Sequence, residues 1–224
     1  MAAGSGSRMG AELPKQFLEI DGKAILQKTI EVFRDAISGI KVITVLPEAY
    51  IDYWKNYCLR KNFICPQVLV KGGITRFHSV KNALERVPDG ALVAVHDGVR
   101  PLVTEKFLQD IFAEAEGVDG LIPVLPCIDT MKVLNNENTV LKSVPGAEAD
   151  RSLLYGAQTP QIFRSELLKQ AYAQPFSPSF TDDASVMEKN GKSLSYVIGE
   201  RLNIKITTQE DLILARAVYS IREN

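Results

Sequence analysis

A doubly wound α/β fold, built around a mostly parallel Rossmann-like sheet, is predicted by two features of the 224-residue sequence. Short runs rich in valine, isoleucine and leucine recur along the chain, without the polar alternation of half-exposed strands. Amphipathic segments of helical length separate these runs, and this alternation is typical of parallel sheets covered by helices. The chain length suits one domain, which we assign to residues 1–224.

The first half of the chain contains the clearest strands and helices. We predict buried strands at the apolar runs 41–47, 67–70, 91–97 and 120–126. Helices are predicted at Ala24–Asp35, Ala49–Lys61, Thr75–Arg86 and Thr104–Glu116. The threonine that opens the last of these is the predicted N-cap. Because ligands of such sheets bind beyond the carboxyl ends of the strands, the loops at those ends are the places to look for function.

After residue 130 the pattern changes. Two β-prone runs around an Asn-rich turn predict a hairpin at 131–144. A lone hairpin is marginally stable in water, so we expect it to pack against another surface, such as a second subunit. The remaining predictions are helices at 165–173 and 183–190, strands at 194–198 and 203–207, and a final helix from the capping box at Thr208 to about Arg222.

The composition argues against several classes of protein. A net charge of −1 does not favour nucleic-acid binding through a general basic surface. No run approaches the roughly 18 apolar residues of a membrane helix, and the N-terminus lacks the regions of a signal peptide. The cysteines Cys58, Cys65 and Cys127 lack metal-ligand spacing and are expected to be reduced, so we expect a cytoplasmic protein. With only His78 and His96, there is little room for histidine chemistry.

The N-terminal segment AAGSGSRMG, followed by LPKQF, is the first candidate site. Its small residues let backbone N–H groups approach a phosphate closely, and they include Ala2, Ala3, Gly4, Ser5 and Gly6. Neither a Walker A loop nor a dinucleotide fingerprint fits this segment. Glycine content alone would favour a flexible, tag-like N-terminus, but Arg8 and Lys15 at their spacing add cationic donors and favour a nucleoside triphosphate site.

Two further candidate segments follow predicted strands. In HDGVRP (96–101), Asp97 is placed to approach Mg²⁺ or a ribose and Arg100 to bind phosphate; the alternative is a simple turn. In GGITRFHSV (72–80), Gly73 permits close backbone approach and Ser79 offers a donor to ribose or phosphate. An ordinary strand-to-helix turn explains the second segment equally well.

Two weaker candidates lie further along the chain. Thr130 in DTMK (129–132) is able to donate to a substrate phosphate, although a polar loop residue is usually only a turn former. Lys205 in GERLNIKITT (199–208) either points to solvent, as strand lysines usually do, or points into the site from a buried strand end.

Taken in order, these segments resemble the 2-C-methyl-D-erythritol 4-phosphate cytidylyltransferases of the non-mevalonate isoprenoid pathway. The shared motifs span essentially the whole chain: AAGSGSRMG with PKQF, GG and R..SV, VHDGVRP, DTMK, DR with QTPQIF, TDDAS and NIKIT. The resemblance implies that the phosphate of methylerythritol phosphate attacks the α-phosphorus of CTP and releases pyrophosphate, with Mg²⁺ as cofactor.

The same resemblance implies roles for residues at matching positions. Nucleotide contacts are implied for Ala2, Ala3, Gly4, Ser5, Gly6, Gly73, Ser79 and Asp97, the last being also the one residue considered for the metal. Catalytic cations are implied at Arg8, Lys15, Arg151 and Lys205. Contacts to the sugar phosphate are implied for Arg100, Thr130, Thr159 and Thr181. The hairpin, extended to about 131–155, resembles a dimerisation arm, so Arg151 is expected to act in the partner's site of a homodimer.

One departure from the family and three alternatives remain. The family places a full hydrophobic strand before AAG, where this sequence has only Met1; we expect the strand's apolar neighbours in the middle of the sheet to be exposed.

A ribitol 5-phosphate cytidylyltransferase has overlapping motifs, although DTMK and TDDAS favour the methylerythritol enzyme. An inactive nucleotide-binding protein is a second alternative. A nucleotide-sugar glycosyltransferase is a third, but its Asp-x-Asp metal motif is absent from the sequence.

Overall fold

The computed structural model describes residues 1–4, 13–137, 140–144 and 146–222. Its α-helices are α1 (Ile25–Ala36), α2 (Ile51–Arg60), α3 (Arg76–Leu84), α4 (Glu105–Ala115), α5 (Ser165–Tyr172), α6 (Asp183–Lys189) and α7 (Gln209–Arg222). Its strands are β1 (Glu19–Ile20), β2 (Lys23–Ala24), β3 (Val42–Leu46), β4 (Gln67–Lys71), β5 (Leu92–Val95), β6 (Gly120–Pro126), β7 (Leu134–Glu137), β8 (Val140–Ser143), β9 (Tyr155–Ala157), β10 (Gln161–Arg164) and β11 (Ser195–Ile198). Short 3-10 helices cover Lys15–Phe17, Glu48–Tyr50 and Arg151–Leu153.

The main sheet has the strand order β11-β6-β10-β5, and β9 also pairs with β6. Strand β11 runs parallel to β6, whereas β10 runs antiparallel to both of its neighbours. Strands β3 and β4 form a separate parallel ladder. The predicted α/β class is confirmed, with one antiparallel strand in the middle of the sheet that the sequence patterns did not reveal.

The predicted elements of the first half are confirmed, with boundaries shifted by a few residues. Helix α4 begins where its cap predicts, because the Thr104 hydroxyl accepts a hydrogen bond from the backbone N–H of Phe107 at 3.2 Å. Helix α7 begins at the predicted capping box: Asp211 Oδ2 accepts from the Thr208 N–H at 2.8 Å, and the Asp211 N–H donates to Thr208 Oγ1 at 3.3 Å. These bonds satisfy N–H groups that the first helical turn leaves unpaired.

The predicted strand at 203–207 is wrong. All five residues are described, and none belongs to a strand. The Ile206 N–H donates to Val99 O at 2.9 Å and Ile206 is fully buried, whereas the N–H groups of Asn203 and Ile204 bond locally to Glu200 O and Leu202 O. The alternating apolar residues at 203–207 therefore belong to an irregular segment anchored to the core, and not to a β-strand.

The two ladders are separated by a gap between β3 and β5. Met1 lies at one end of it, and helices α1 and α3 line it. Apolar residues of the flanking strands, among them Val42, Ile43 and Val93, are only partly buried. The exposure expected for apolar neighbours in the middle of the sheet is found here.

The predicted hairpin is confirmed as β7 and β8, with Leu134 opposite Ser143. Large apolar side chains are exposed along this region and the segments beside it: Ile128, Met131, Val133, Leu134, Leu141, Leu153 and Tyr155. Elsewhere, across the part of the chain that the structure describes, no helix combines the length and apolar character needed to cross a membrane.

Candidate active site

A cavity of about 520 Å³ opens where the loops after β4 and β5 meet the N-terminal residues. This position, at the carboxyl ends of strands, is where ligands bind in open α/β sheets. The predicted site residues that line it are Ala2, Ala3, Gly4, Lys15, Gly73, Ser79, Asp97 and Lys205. The structure therefore brings together residues from four separate motifs of the sequence.

The start of the glycine-rich segment is held by Gln16, whose side chain is 1% exposed. Its Nε2 donates to the carbonyl of Ala2 at 2.8 Å and to that of Gly4 at 3.4 Å. Gln16 thus fixes the backbone of these residues through their carbonyl groups, while the residues themselves line the cavity. Sequence reasoning missed this role; the only signal was the position of Gln16 in the motif PKQF.

Close backbone packing shapes the loop after β4. A Cβ on Gly73 would lie 2.4 Å from Cβ of His78, so only glycine fits there. The Gly73 N–H donates to Ser79 Oγ at 3.0 Å, and the same hydroxyl donates to the carbonyl of Thr75 at 2.9 Å. Ser79 is 2% exposed, so its hydroxyl organises the loop in this structure. Its predicted contact with the nucleotide remains a prediction.

Asp97 carries the buried negative charge at the cavity floor. Its Oδ2 accepts from Lys205 Nζ at 3.0 Å and from Arg100 Nε at 3.2 Å. Burial by itself would raise the pKa of Asp97, but the charges of Lys205, Arg100 and Arg76 outweigh burial and hold that pKa well below its usual range. The carboxylate therefore stays ionised and fixes the ammonium group of Lys205 at the cavity, where that side chain is 42% exposed.

Arg100 and Thr159 lie beneath the cavity and are absent from its lining. Arg100 donates through Nη1 to the carbonyl of Asn203 at 2.7 Å. Thr159 Oγ1 accepts from the Asp97 N–H at 3.1 Å, and Asn203 Nδ2 donates to the carbonyl of Thr159 at 2.8 Å. Both residues hold the loop that carries Asp97, so the contacts seen are with protein groups. Their predicted contacts with the sugar phosphate remain predictions.

His96 belongs to the same layer. Its ring packs on Phe33 with centroids 4.7 Å apart, and its nitrogens lie 3.1 Å from Thr159 Oγ1 and from the carbonyl of Arg100. Burial lowers the pKa of His96 to about 3, so the ring is neutral at physiological pH. The geometry gives this histidine a structural role.

A second buried ion pair borders the cavity. Arg76 binds Asp183 in bidentate fashion, with Nη1–Oδ1 at 2.9 Å and Nη2–Oδ2 at 2.5 Å. Asp183 is fully buried and also accepts from the Tyr172 hydroxyl at 2.5 Å. Burial, together with the charge of Asp183, raises the pKa of Tyr172 above its usual range. Sequence reasoning quoted Arg76 within a motif but missed the pair, because its partners are 107 residues apart.

Several predicted site residues lie elsewhere. Thr130, Arg151 and Thr181 are exposed and do not line the cavity of this chain. Arg151 donates through Nη1 to the carbonyl of Ile128 at 3.0 Å, at the base of the hairpin. The predicted residues Ser5, Gly6 and Arg8 lie outside the described residues.

The charges of the cavity fit an anionic ligand. Among the described residues that line it, Lys15, Arg76 and Lys205 are cationic and Asp97 is acidic. Within the described residues, no group of three or more histidine, cysteine or acidic side chains is arranged to hold a metal. A Mg²⁺ ion bound mainly by phosphate oxygens needs only one or two protein carboxylates, and Asp97 is compatible with that demand.

A cationic cavity of small residues, at the strand ends of a Rossmann-like sheet, is typical of α/β proteins that bind nucleotides. Residues 1–220 match the family model of IspD, 2-C-methyl-D-erythritol 4-phosphate cytidylyltransferase. The chain belongs to this family, and the predicted resemblance is confirmed.

Individual relatives agree with the family match. The 2-C-methyl-D-erythritol 4-phosphate cytidylyltransferase of Bacteroides thetaiotaomicron is 44% identical over 218 residues, which cover 97% of this chain and 96% of that protein. The enzyme of the same description from Geobacter metallireducens is 37% identical over 223 residues, covering 96% and 94%. The crystal structure of the Francisella tularensis enzyme matches with a TM-score of 0.78 at 28% identity, covering 96% and 95%.

Proposed function

We propose that this protein transfers CMP from CTP to 2-C-methyl-D-erythritol 4-phosphate and releases pyrophosphate. The observation that carries the proposal is the cavity, whose described lining combines the cationic side chains of Lys15, Arg76 and Lys205 with the Asp97 carboxylate and the backbone of small residues. A triphosphate and a sugar phosphate bring many negative charges together, and such a site stabilises that charge. Membership of the cytidylyltransferase family supports the choice of substrates.

In the proposed reaction, a phosphate oxygen of the sugar phosphate attacks the α-phosphorus of CTP. One phosphorus–oxygen bond forms, and the bond from the α-phosphorus to the oxygen bridging the β-phosphate breaks. That oxygen leaves with pyrophosphate. Because the attacking phosphate is already a nucleophile, positioning and charge stabilisation are sufficient and no catalytic histidine or cysteine is required. The buried, neutral His96 is consistent with this.

The side chains have separate proposed tasks. Lys15 and Lys205 stabilise negative charge on the transferring phosphate, and Asp97 holds Lys205 in place through the 3.0 Å contact. The backbone of Ala2, Ala3 and Gly4 binds the nucleotide. Asp97 would be the protein residue that holds Mg²⁺ bound to the triphosphate, and the ion would neutralise phosphate charge. We also place the enzyme in the cytoplasm, a location supported by its three free cysteines.

We further propose a homodimer formed through the hairpin arm. Exposed apolar side chains are concentrated there, including Leu141 at 66% and Leu153 at 75% exposure. Apolar surface of this kind is typical of protein interfaces. In the dimer, Arg151 would act in the partner's cavity.

An assay of pyrophosphate release tests the proposed reaction. The purified protein is given CTP and Mg²⁺ with either methylerythritol phosphate or ribitol 5-phosphate, and titration calorimetry measures CTP binding separately. We expect turnover with methylerythritol phosphate at a kcat/KM at least about tenfold higher than with the ribitol compound. Preference for ribitol 5-phosphate would replace the substrate assignment, and CTP binding without turnover would identify an inactive binding protein.

Matched lysine variants connect that activity to the cavity. Lys205→Ala should lower kcat by about 10²–10³. Lys106, which is 83% exposed on α4 and lies outside the cavity lining, provides the control Lys106→Ala, whose kcat should be unchanged. Equal activity of the two variants would remove Lys205 from the proposed mechanism.

A further inference from the structure

Arg76 joins the active-site cavity to a buried carboxylate. It is the first residue of α3 and lines the cavity together with Gly73 and Ser79. The Arg76 side chain is 32% exposed, whereas the Asp183 side chain that it binds is fully buried. The ion pair therefore has a closed end inside the protein and an open end at the cavity.

The guanidinium keeps N–H donors for a ligand after it has bound Asp183. An arginine side chain carries five N–H donors in one plane. The bidentate contact uses one N–H of Nη1 and one of Nη2. Within the part of the chain that the structure describes, Arg76 donates to no other acceptor, so the remaining N–H groups are available to a ligand. A planar fork of cationic donors matches the oxygens of a phosphate.

Asp183 is held in place by two further elements. The Tyr172 hydroxyl, on α5, donates to Asp183 Oδ1 at 2.5 Å. Gln161, on β10, fixes the start of α6: its Nε2 donates to Asp182 Oδ2 at 2.8 Å, and its Oε1 accepts from the Ala184 N–H at 3.0 Å. Because a bidentate contact with a fixed carboxylate sets the plane of the guanidinium, the direction of the remaining Arg76 donors is fixed as well.

Stability alone gives a weak reason for this ion pair. The cost of removing two charges from water offsets much of their attraction, and apolar replacements of similar volume are often as stable. A pair that only filled the core would not need an end at the cavity wall, which Arg76 shares with Lys15 and Lys205. The open position of the guanidinium is explained if it binds a ligand there.

We propose that Arg76 donates to a phosphate oxygen of a bound substrate, and that Asp183 and Tyr172 are positioning residues that orient its guanidinium. The inference rests on the proposed function, which supplies the two phosphate-bearing substrates, CTP and the sugar phosphate. Both offer the same acceptor oxygens, so separate binding measurements identify which of them Arg76 contacts.

The first test keeps the positive charge and removes the fork. Arg76→Lys retains a cation beside Asp183 but loses the planar donor set, so kcat/KM for pyrophosphate release should fall at least about tenfold. Titration calorimetry measures the Kd of CTP and of methylerythritol phosphate separately, and at least one should rise about fivefold or more. Arg60 is exposed at the end of α2 and lies outside the cavity lining, so Arg60→Lys should change neither quantity.

A pair of tyrosine variants separates positioning from stability. Tyr57 is buried like Tyr172, and its hydroxyl also makes short hydrogen bonds, to the Ala24 N–H and to Gln27 Oε1, both at 2.7 Å. Tyr57 does not line the cavity. Tyr172→Phe and Tyr57→Phe should therefore lower the free energy of unfolding by similar amounts. Only Tyr172→Phe should lower kcat/KM, by about threefold or more, because the guanidinium is no longer held in one orientation.

The outcomes distinguish this inference from the proposed reaction. Equal turnover and equal Kd values for Arg76→Lys and Arg60→Lys, with an active unaltered protein, would overturn the inference and leave the reaction standing. Equal kcat/KM of the two tyrosine variants would overturn the positioning roles, and this comparison decides them even if Arg76→Lys fails to fold. If the unaltered protein binds both ligands without turnover, the proposed reaction is wrong and the Kd values alone decide the role of Arg76. Binding of neither ligand would overturn both.

Discussion

The cavity floor and the hairpin arm are built in opposite ways. At the floor, Asp97 accepts from two cations, and the N–H of its own backbone donates to Thr159. In the arm, β7 and β8 pair with each other, and leucines such as Leu141 and Leu153 stand in solvent. The floor residues are buried and bonded to one another, whereas the arm exposes apolar side chains.

This difference separates two sources of catalytic geometry. Charged groups at the floor are positioned by burial and by mutual hydrogen bonding, so their geometry exists before substrate arrives. The side chain of Arg151, at the base of the arm, donates to the Ile128 carbonyl and does not line the cavity of its own chain. We infer that floor residues act in their own chain and that Arg151 acts in the partner.

The largest expected effect concerns the buried pair beside the floor. Arg76→Ala leaves the fully buried Asp183 without its cation, and this should lower the free energy of unfolding by about 3–5 kcal/mol. Urea unfolding measures it. Replacing both partners, as Arg76→Ala with Asp183→Ala, removes the unpaired charge and should recover part of the loss. If Arg76→Ala is as stable as the original protein, the Arg76–Asp183 ion pair does not stabilise the fold, and the prediction is wrong.

Removing a cavity cation should affect catalysis without affecting the fold. Lys15→Ala is expected to lower kcat by about 10²–10³, because the charge on the transferring phosphate loses a donor. Steady-state kinetics and thermal unfolding are measured together, and Tm should change little because Lys15 is only partly buried. Near-normal turnover would exclude Lys15 from charge stabilisation.

Acid should weaken the floor before it affects the arm. The pKa of His96 is about 3 when folded and about 6.5 when unfolded, so below pH 6.5 the unfolded chain binds a proton that the folded protein refuses. Stability should therefore fall by about 2 kcal/mol from His96 as pH drops from 6.5 to 5. Asp97, whose pKa is lowered on folding, adds a further loss only below about pH 4.

Two histidine variants check the origin of this pH dependence. His96→Gln should remove most of the fall in the free energy of unfolding between pH 6.5 and 5. His78 lies outside the cavity floor, and His78→Gln is the matched control that should leave this pH dependence unchanged. A slope that persists in His96→Gln would assign the effect to other groups.

The smallest expected effect on the isolated chain comes from the arm. Leu141→Asp changes an exposed side chain, so unfolding of the monomer should shift by no more than about 0.5 kcal/mol. Association should nevertheless weaken at least about tenfold, as measured by analytical ultracentrifugation. Ile213 is similarly exposed on α7, and Ile213→Asp is the matched control that should leave association unchanged. Equal association of both variants would move the interface away from the arm.

Sequence patterns predicted the structural features that depend on residues close together in the chain. The apolar runs predicted strands β3 to β6, and the caps at Thr104 and Thr208 predicted where two helices begin. The small residues near the N-terminus predicted part of the cavity lining. The antiparallel β10 was missed because four residues, QIFR, carry no signal of which neighbours they pair with. The Arg76–Asp183 pair was missed for the same reason, since it joins the first residues of α3 and α6, which are far apart in sequence.

Other predictions named residues that cluster at the site but lie beneath the cavity instead of lining it. Thr159 and Arg100 follow the motif as expected, yet their side chains bond to protein groups beneath the cavity. A motif identifies which residues cluster, whereas burial determines which of them faces the ligand. Burial depends on packing between distant segments, and it is therefore not contained in spacing along the chain.

Mixing two inactive variants tests most directly whether floor and arm come from different chains. Lys15→Ala and Arg151→Ala proteins are combined in equal amounts, subunit exchange is verified by native mass spectrometry, and pyrophosphate release is measured. Half of the dimers become hybrids, and each hybrid contains one site with both an intact Lys15 and the partner's intact Arg151. We predict recovery of about one quarter of the original activity. No recovery after verified exchange would contradict the account and return Arg151 to its own chain.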